Sequence, residues 1–356
     1  MRKNETSVER LRAADAAASI VPQLAAREAE ADRRGTFAAD NMQLVRDAGL
    51  LTLNVPQSNG GFGERLGGTV DALRTIAQGS PSTALMLAMH TSTLAHYQLD
   101  SGDSDQRSWA YDAAMNGKLF AVANSEAGAG GDVRNSRAEV RNGRLFGVKT
   151  FASMGTFADY FMAAARDESG TVEYFLVRNE PEHVRVESPW NATGMRSSES
   201  VSLRFDGAAV VGPLVARGLL AGINNRHWAT LSFTAVFIGT AESLLADIAR
   251  QHEALNATAA VDLHLVIQAS RAFLRHCVEV EPAVPDDAYR KLVRDCKVFA
   301  TRALAEKATA AFLSLGGSAY RADSPASRKL RDLLAGPAVR PPVASAFEEI
   351  WKELSR

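Results

Sequence analysis

The chain has 356 residues, 46% of them hydrophobic and 23% charged, with a formal net charge of −1. Such a composition supports a large apolar core and two or three domains or layers, and without a basic cluster it gives no footing for nucleic-acid binding. Two cysteines, Cys277 and Cys296, do not make a disulfide framework; both fall on apolar helix-like faces as core thiols, and no Cys/His spacing suits a metal.

The N-terminal stretch Met1 to Asp15 lacks the apolar run of a signal peptide, which points to a cytoplasmic protein. Val8 to Arg34 is rich in strong helix formers. A second helix ends at Asp47-Ala48-Gly49, where Gly49 suits a left-handed cap. The loop Val55 to Gly63 follows. Ser80-Pro81-Ser82-Thr83 then opens a helix that runs past Met86 and His90, with proline in the first turn and hydroxyls to cap it.

From about residue 120 the period changes. Asn142-Gly143, between Ala138-Glu139-Val140 and Leu145-Phe146-Gly147-Val148, predicts a hairpin, because both turn residues need positive φ. Further strands are expected over Tyr160 to Ala165, Val172 to Val177 and Val201 to Phe205. Beyond about residue 214 the chain reads as helical again: Leu263, Ile267, Leu274 and Cys277 keep helical spacing, as do Tyr289, Leu292, Val293, Cys296, Phe299 and Leu304. Leu231 to Ile248 is apolar nearly all round. Interruptions at Ser232, Thr234, Gly239, Thr240, Glu242 and Ser243 mark it as a buried bundle helix rather than a membrane span. The expected architecture is mainly α with a central antiparallel β domain: a helical domain over 1–119, a β domain over 120–213 and a helical bundle over 214–356.

Three stretches carry a resemblance. Ala123-Asn124-Ser125-Glu126-Ala127-Gly128-Ala129-Gly130-Gly131-Asp132 is similar to a threonine-glutamate-proline segment followed by glycine-alanine-glycine-serine-aspartate. Gly147-Val148-Lys149-Thr150-Phe151-Ala152-Ser153-Met154-Gly155 is similar to a glycine-x-lysine, tryptophan-isoleucine-threonine, asparagine run. Leu315-Gly316-Gly317-Ser318-Ala319-Tyr320 precedes Ser324-Pro325, Arg328 and Arg331-Asp332. With Gly194-Met195-Arg196 and Val55 to Gly63, these stand in the order found in the acyl-CoA dehydrogenase family, a flavoprotein superfamily that also includes flavin-dependent monooxygenases. The resemblance covers about residues 40 to 335 and implies a helical domain, a β domain and a C-terminal four-helix bundle.

A flavin ring needs hydrogen-bond donors near its N1/O2 edge and at N5, with an aromatic or apolar wall against one face. Ser125 and Ser153 are short hydroxyls at strand edges, and Phe151 is either that wall or a core residue. The Gly128 to Gly131 loop, with Gly130 and Gly131, is either an anion-facing nest or an ordinary turn. In the resemblance, Asn124, Ser125 and Ser153 belong to the flavin-bonding segments, and Phe151 takes the tryptophan position. Gly316-Gly317 would admit a pyrophosphate or simply cap a helix. Arg196 faces either a phosphate or solvent.

Two departures bear on activity. Dehydrogenation of an acyl thioester needs a carboxylate at the α carbon. The resemblance puts it at Arg340 or, in some members, at Asn225 before Arg226, and neither is a carboxylate; an arginine is no base at neutral pH. His90 and Glu126 are therefore the candidate catalytic groups, and Arg340 and Arg196 the candidate substrate contacts. The arginine-x-x-phenylalanine-glycine segment and the glutamine that reach the FAD tail are also missing; Leu313 stands at the glutamine position. FAD, FMN or no flavin all remain open.

Three readings follow. One is a dehydrogenase acting on an acyl thioester of CoA or a carrier protein, with an electron-transfer partner. Another is a monooxygenase supplied by a flavin reductase and acting on a small molecule. The last is a non-redox ligand-binding member. In each, the apolar bundle predicts a homodimer or homotetramer.

Overall fold

The computed structural model describes residues 12–99, 104–129, 132–211, 226–250, 257–282 and 286–355. Five helices come first: α1 Ala13–Arg34, α2 Ala39–Asp47, α3 Leu66–Gly79, α4 Pro81–Leu99 and α5 Ser104–Met115. Strands β1 Phe120–Val122, β2 Glu139–Arg141, β3 Arg144–Ala152, β4 Tyr160–Arg166, β5 Val172–Arg178, β6 Val184–Ser188 and β7 Val201–Ala209 form one sheet. Helices α6 Arg226–Arg250, α7 Ala257–Glu279, α8 Asp287–Leu313, α9 Pro325–Leu333 and α10 Val343–Leu354 complete the described chain. The expected layout, mainly helical around a central β unit, is borne out.

Local chemistry accounts for the element ends. The Ser80 hydroxyl accepts the Thr83 amide at the start of α4, and Gly49 closes the α2 segment at φ 73°. In the β2–β3 hairpin Asn142 and Gly143 take φ of 50° and 69°, as a tight turn with right-handed twist demands. The sheet is antiparallel at β2–β3, β3–β7, β6–β7 and β4–β5. Strand β4, however, runs parallel to β1 and β2, a pairing that residue alternation does not reveal. A bridge from Val177 to Val210 curls the sheet back on itself.

Helices α6, α7, α8 and α9 pack together as the bundle, and α3 and α4 lie against α6. Residues His227–Arg250 of α6 are long and apolar enough to cross a membrane, yet they are mostly buried in this fold. Gly239 lets α3 approach closely, since a Cβ there would sit 2.1 Å from the Arg74 carbonyl oxygen. Both cysteines are buried thiols, as expected.

The helices meet the sheet at one buried polar junction. Asp332 of α9 accepts the Met195 amide at 2.6 Å. The neighbouring Arg331 donates to the Thr193 carbonyl at 3.0 Å and to Asp32 of α1 at 2.5 Å. Gly194 fits because a Cβ would lie 2.1 Å from the Arg331 carbonyl oxygen. Burial, reinforced by Asp332, pushes the Glu28 carboxyl of α1 up to about 8, and burial raises Asp332 to about 7 against the pull of the Met195 amide.

For a carboxyl raised in the folded state, the proton is held more tightly by the fold than by the unfolded chain. Its contribution to stability is therefore fully present below the ordinary carboxylate range and fades as pH rises through about 8 for Glu28. Glu28→Gln, which stays neutral, removes that fade. Between pH 5 and pH 9 thermal melting should shift in favour of the variant, relative to wild type, by about 3–5 °C. A gap that does not change with pH would contradict the assignment.

Candidate functional site

Strand β3 ends in an irregularity, where its register with β7 shifts between Lys149 and Ala152. Phe151 sits in this bulge at φ 55°, a costly conformation for a non-glycine residue, and its ring is 63% exposed. The alternative of Phe151 as a core residue is thus corrected, because the bulge turns its ring outward. Trp190 packs edge-on against that ring, with centroids 6.3 Å apart. The Trp190 indole N–H donates to the Met195 carbonyl at 2.9 Å.

Beyond the bulge, Ser153 is buried. Its Oγ lies 2.8 Å from Ser200 Oγ, which lies 2.8 Å from Ser198 Oγ, and Ser198 donates to the Met195 carbonyl at 2.8 Å. Met154, at φ 69°, donates its amide to the Ser198 carbonyl at 2.9 Å and holds this corner together. On the other side, the Thr150 amide donates to the Ser125 carbonyl at 2.8 Å and sets Ser125 beside the bulge. The half-buried Ser125 hydroxyl makes no hydrogen bond among the described residues.

Arg340 reaches the same corner. Its guanidinium donates to the Asn124 carbonyl at 3.2 Å. The segment carrying it rests on α8: Gly336 packs on Thr301, and the buried Lys297 ammonium donates to the Pro341 carbonyl at 2.6 Å. Burial lowers Lys297 to about 7, and among the described residues no carboxylate pairs with it. The structure therefore brings Ser125, Phe151, Ser153 and Arg340 together, although they are spread over more than 200 residues of sequence.

The other candidate residues have structural partners. His90 is fully buried; its Nε2 meets the Leu51 carbonyl at 2.8 Å, and its Nδ1 accepts the Phe120 amide at 3.2 Å. Burial lowers its pKa to about 4, so it is a neutral pin between α4 and β1 with both ring nitrogens engaged. Glu126 is also held by buried partners. Its side chain, 5% exposed, pairs with the buried Lys149 ammonium at 2.5 Å and accepts from Ser136 Oγ and the Arg137 and Ala138 amides. Burial opposes its ionisation, but Lys149 and Ser136 outweigh it and hold the pKa below the ordinary carboxylate range.

Arg196 turns to α1, donating to the Asp32 and Ala192 carbonyls at 2.8 and 3.1 Å, rather than to solvent or an open anion site. The Asn124 side chain is committed to β4, accepting the Ala164 amide at 2.9 Å. Gly316 and Gly317 lie in an exposed turn after α8 with open space where a Cβ would stand, and no recorded contact ties them to the Phe151 corner. Gly130 and Gly131 lie outside the described residues. Trp190, Ser198 and Ser200 escaped the sequence reading, and Met195 entered it only as part of the Gly194-Met195-Arg196 turn.

These features suit a planar flavin ring: an outward aromatic face backed by Trp190, and an uncommitted Ser125 hydroxyl beside it. Removing the Glu126 charge tests its structural role, since Glu126→Gln strands the Lys149 ammonium in the core. Urea unfolding should show a loss of about 3 kcal/mol or more, much of it recovered in the Glu126→Gln/Lys149→Met double variant. An unfolding free energy left unchanged by Glu126→Gln would refute the structural role.

Comparison with known proteins gives a consistent picture. Residues 8–118 match the model of the acyl-CoA dehydrogenase N-terminal domain, and residues 121–208 that of the middle domain. The putative acyl-CoA dehydrogenase YdbM of Bacillus subtilis is 30% identical over 183 residues, covering 49% of this chain and 48% of that protein. The amino sugar nitrososynthase RubN8 of Streptomyces rubradiris is 26% identical over 370 residues, covering 90% of this chain and 84% of the relative. Among solved structures, FMN-bound TdsC from Paenibacillus sp. A11-2, a dibenzothiophene monooxygenase, superposes with a TM-score of 0.84 at 22% identity, covering 97% of this chain and 98% of TdsC.

Proposed function

Because the chain belongs to the acyl-CoA dehydrogenase family, we propose that it works as a two-component flavin monooxygenase, drawing reduced flavin from a separate reductase and oxidising a small molecule. One observation carries this reading. Arg340 occupies the corner where the resemblance places a carboxylate, while Glu126 and His90 are locked into buried hydrogen bonds. A dehydrogenase acting on a thioester must take a proton from carbon; Arg340 stands where the resemblance expects that base, and Glu199, the carboxyl among the serines of this corner, accepts the Phe37 amide. Oxygen transfer has no such requirement. The likeness to a nitrososynthase, over 90% of this chain and 84% of that relative, supports the same choice.

Phe151, backed by Trp190, would flank the ring, and Ser125 and Ser153 would meet its polar edge. Bound reduced flavin would supply the two electrons that activate dioxygen, one oxygen atom entering the product and the other leaving as water. Arg340, held by Asn124 and by the segment pinned on Lys297, would orient an anionic or electron-rich substituent of the substrate. FMN is the favoured cofactor, since the tail-binding segments of the family are missing and TdsC carries FMN in this fold.

The test supplies FMN, NADH, dioxygen and an unrelated flavin reductase, with amine and thioether candidates as substrates. Oxygen-dependent product carrying label from ¹⁸O₂ is expected, with no anaerobic bleaching of bound flavin by acyl-CoA thioesters. Bleaching by a thioester would restore the dehydrogenase reading. Phe151→Ala should weaken reduced-FMN binding roughly tenfold through loss of the aromatic face.

A further inference from the structure

We infer that Ser198 and Ser200 are positioning residues that fix Ser153 as a hydrogen-bond acceptor, and so make the site prefer reduced over oxidised flavin. The inference rests on the flavin reading above and deepens it. A serine hydroxyl carries one proton and can accept through its lone pairs. The Met195 carbonyl can only accept, so the single proton of Ser198 lies on the 2.8 Å contact to that oxygen. The proton on the 2.8 Å contact between Ser198 and Ser200 must then belong to Ser200. By the same step, the proton between Ser200 and Ser153, also 2.8 Å apart, must belong to Ser153. All three serines are buried, so water cannot readily relax this order.

With its proton turned toward Ser200, Ser153 has only lone pairs left for a ligand. Oxidised flavin presents a lone pair at N5 and needs a donor there, whereas reduced flavin carries N5–H and needs an acceptor. Donation from Ser153 to oxidised flavin would either leave the Ser153–Ser200 contact without a proton or reverse the whole chain, which sets the Ser198 and Met195 oxygens against each other; either way one buried hydrogen bond is forfeited. The Met195 carbonyl would keep only its bonds from the Trp190 indole and the Ser198 amide. Serine at position 153 is thus necessary for selectivity but does not set it; the direction is imposed by Ser198 and Ser200.

The experiment measures dissociation constants for oxidised FMN and, anaerobically, for dithionite-reduced FMN. It compares wild type with Ser198→Ala, Ser200→Ala and Ser153→Ala, with thermal melting to confirm folding. Wild type should favour reduced FMN. Ser198→Ala and Ser200→Ala release the Ser153 proton, so oxidised FMN should bind about five- to tenfold more tightly while reduced FMN changes little. In Ser153→Ala the preference should fall in the opposite manner, through weaker binding of reduced FMN. Folded Ser198→Ala and Ser200→Ala proteins that keep the wild-type ratio would overturn the inference, and leave the monooxygenase reading intact if oxygen-dependent product still forms. A wild-type protein that binds neither form would overturn both.

Discussion

The bond between the Asp332 carboxyl and the Met195 amide organises much else in this molecule. It is buried, so neither partner has water as an alternative, and its loss would leave an unsatisfied acid in the core. It also fixes a turn with two left-handed ends, Met195 at φ 51° and Glu199 at φ 46°. The Met195 carbonyl, oriented by that turn, receives the Trp190 indole and the Ser198 hydroxyl. Trp190 backs Phe151, and Ser198 starts the serine chain. A contact made by a helix of the bundle thereby determines what the β sheet displays.

The opposite wall depends on the Glu126–Lys149 pair. Lys149 belongs to β3 and is completely buried, which is tolerable only because Glu126, Ser136 and the Ala164 carbonyl surround its ammonium. The pair ties the segment after β1 to β3 immediately before the bulge that sends Phe151 outward. Glu126 therefore has a structural part of its own. As a buried ion pair it helps fix the spacing between Ser125 and Phe151, and a carboxylate used that way is withheld from proton transfer.

The fold was legible in the sequence because its signals are local. The Asn142-Gly143 hairpin, the Gly49 cap and the apolar α6 each announce themselves within a few residues. Partner choice is not local. Asp332 and Met195 are 137 residues apart, and nothing in either neighbourhood names the other. Periodicity also mistakes the kind of burial: His90 looks the same on a helix whether it faces a cavity or satisfies the Leu51 carbonyl and the Phe120 amide. For Phe151 the sequence left wall and core open, since alternation assumes regular strand geometry and a bulge reverses the face. The resemblance pointed to Ser125, Ser153 and Arg340 and said nothing of Ser198 and Ser200, which enter only through their hydrogen bonds.

Arg340 changes the electrostatics of the corner as well as its proton chemistry. A guanidinium cannot accept a proton at any ordinary pH, and it adds positive charge close enough to Lys149 to oppose that ammonium. Lys297, beneath the same segment, is a buried cation with no carboxylate partner among the described residues, and burial brings its pKa near neutrality. A site with this charge distribution favours the negative end of whatever it binds. Dehydrogenation needs the opposite, a negative group beside the carbon that loses its proton. On the monooxygenase reading proposed above, an arginine in that place would turn the local field toward holding an electron-rich substrate rather than withdrawing a proton from one.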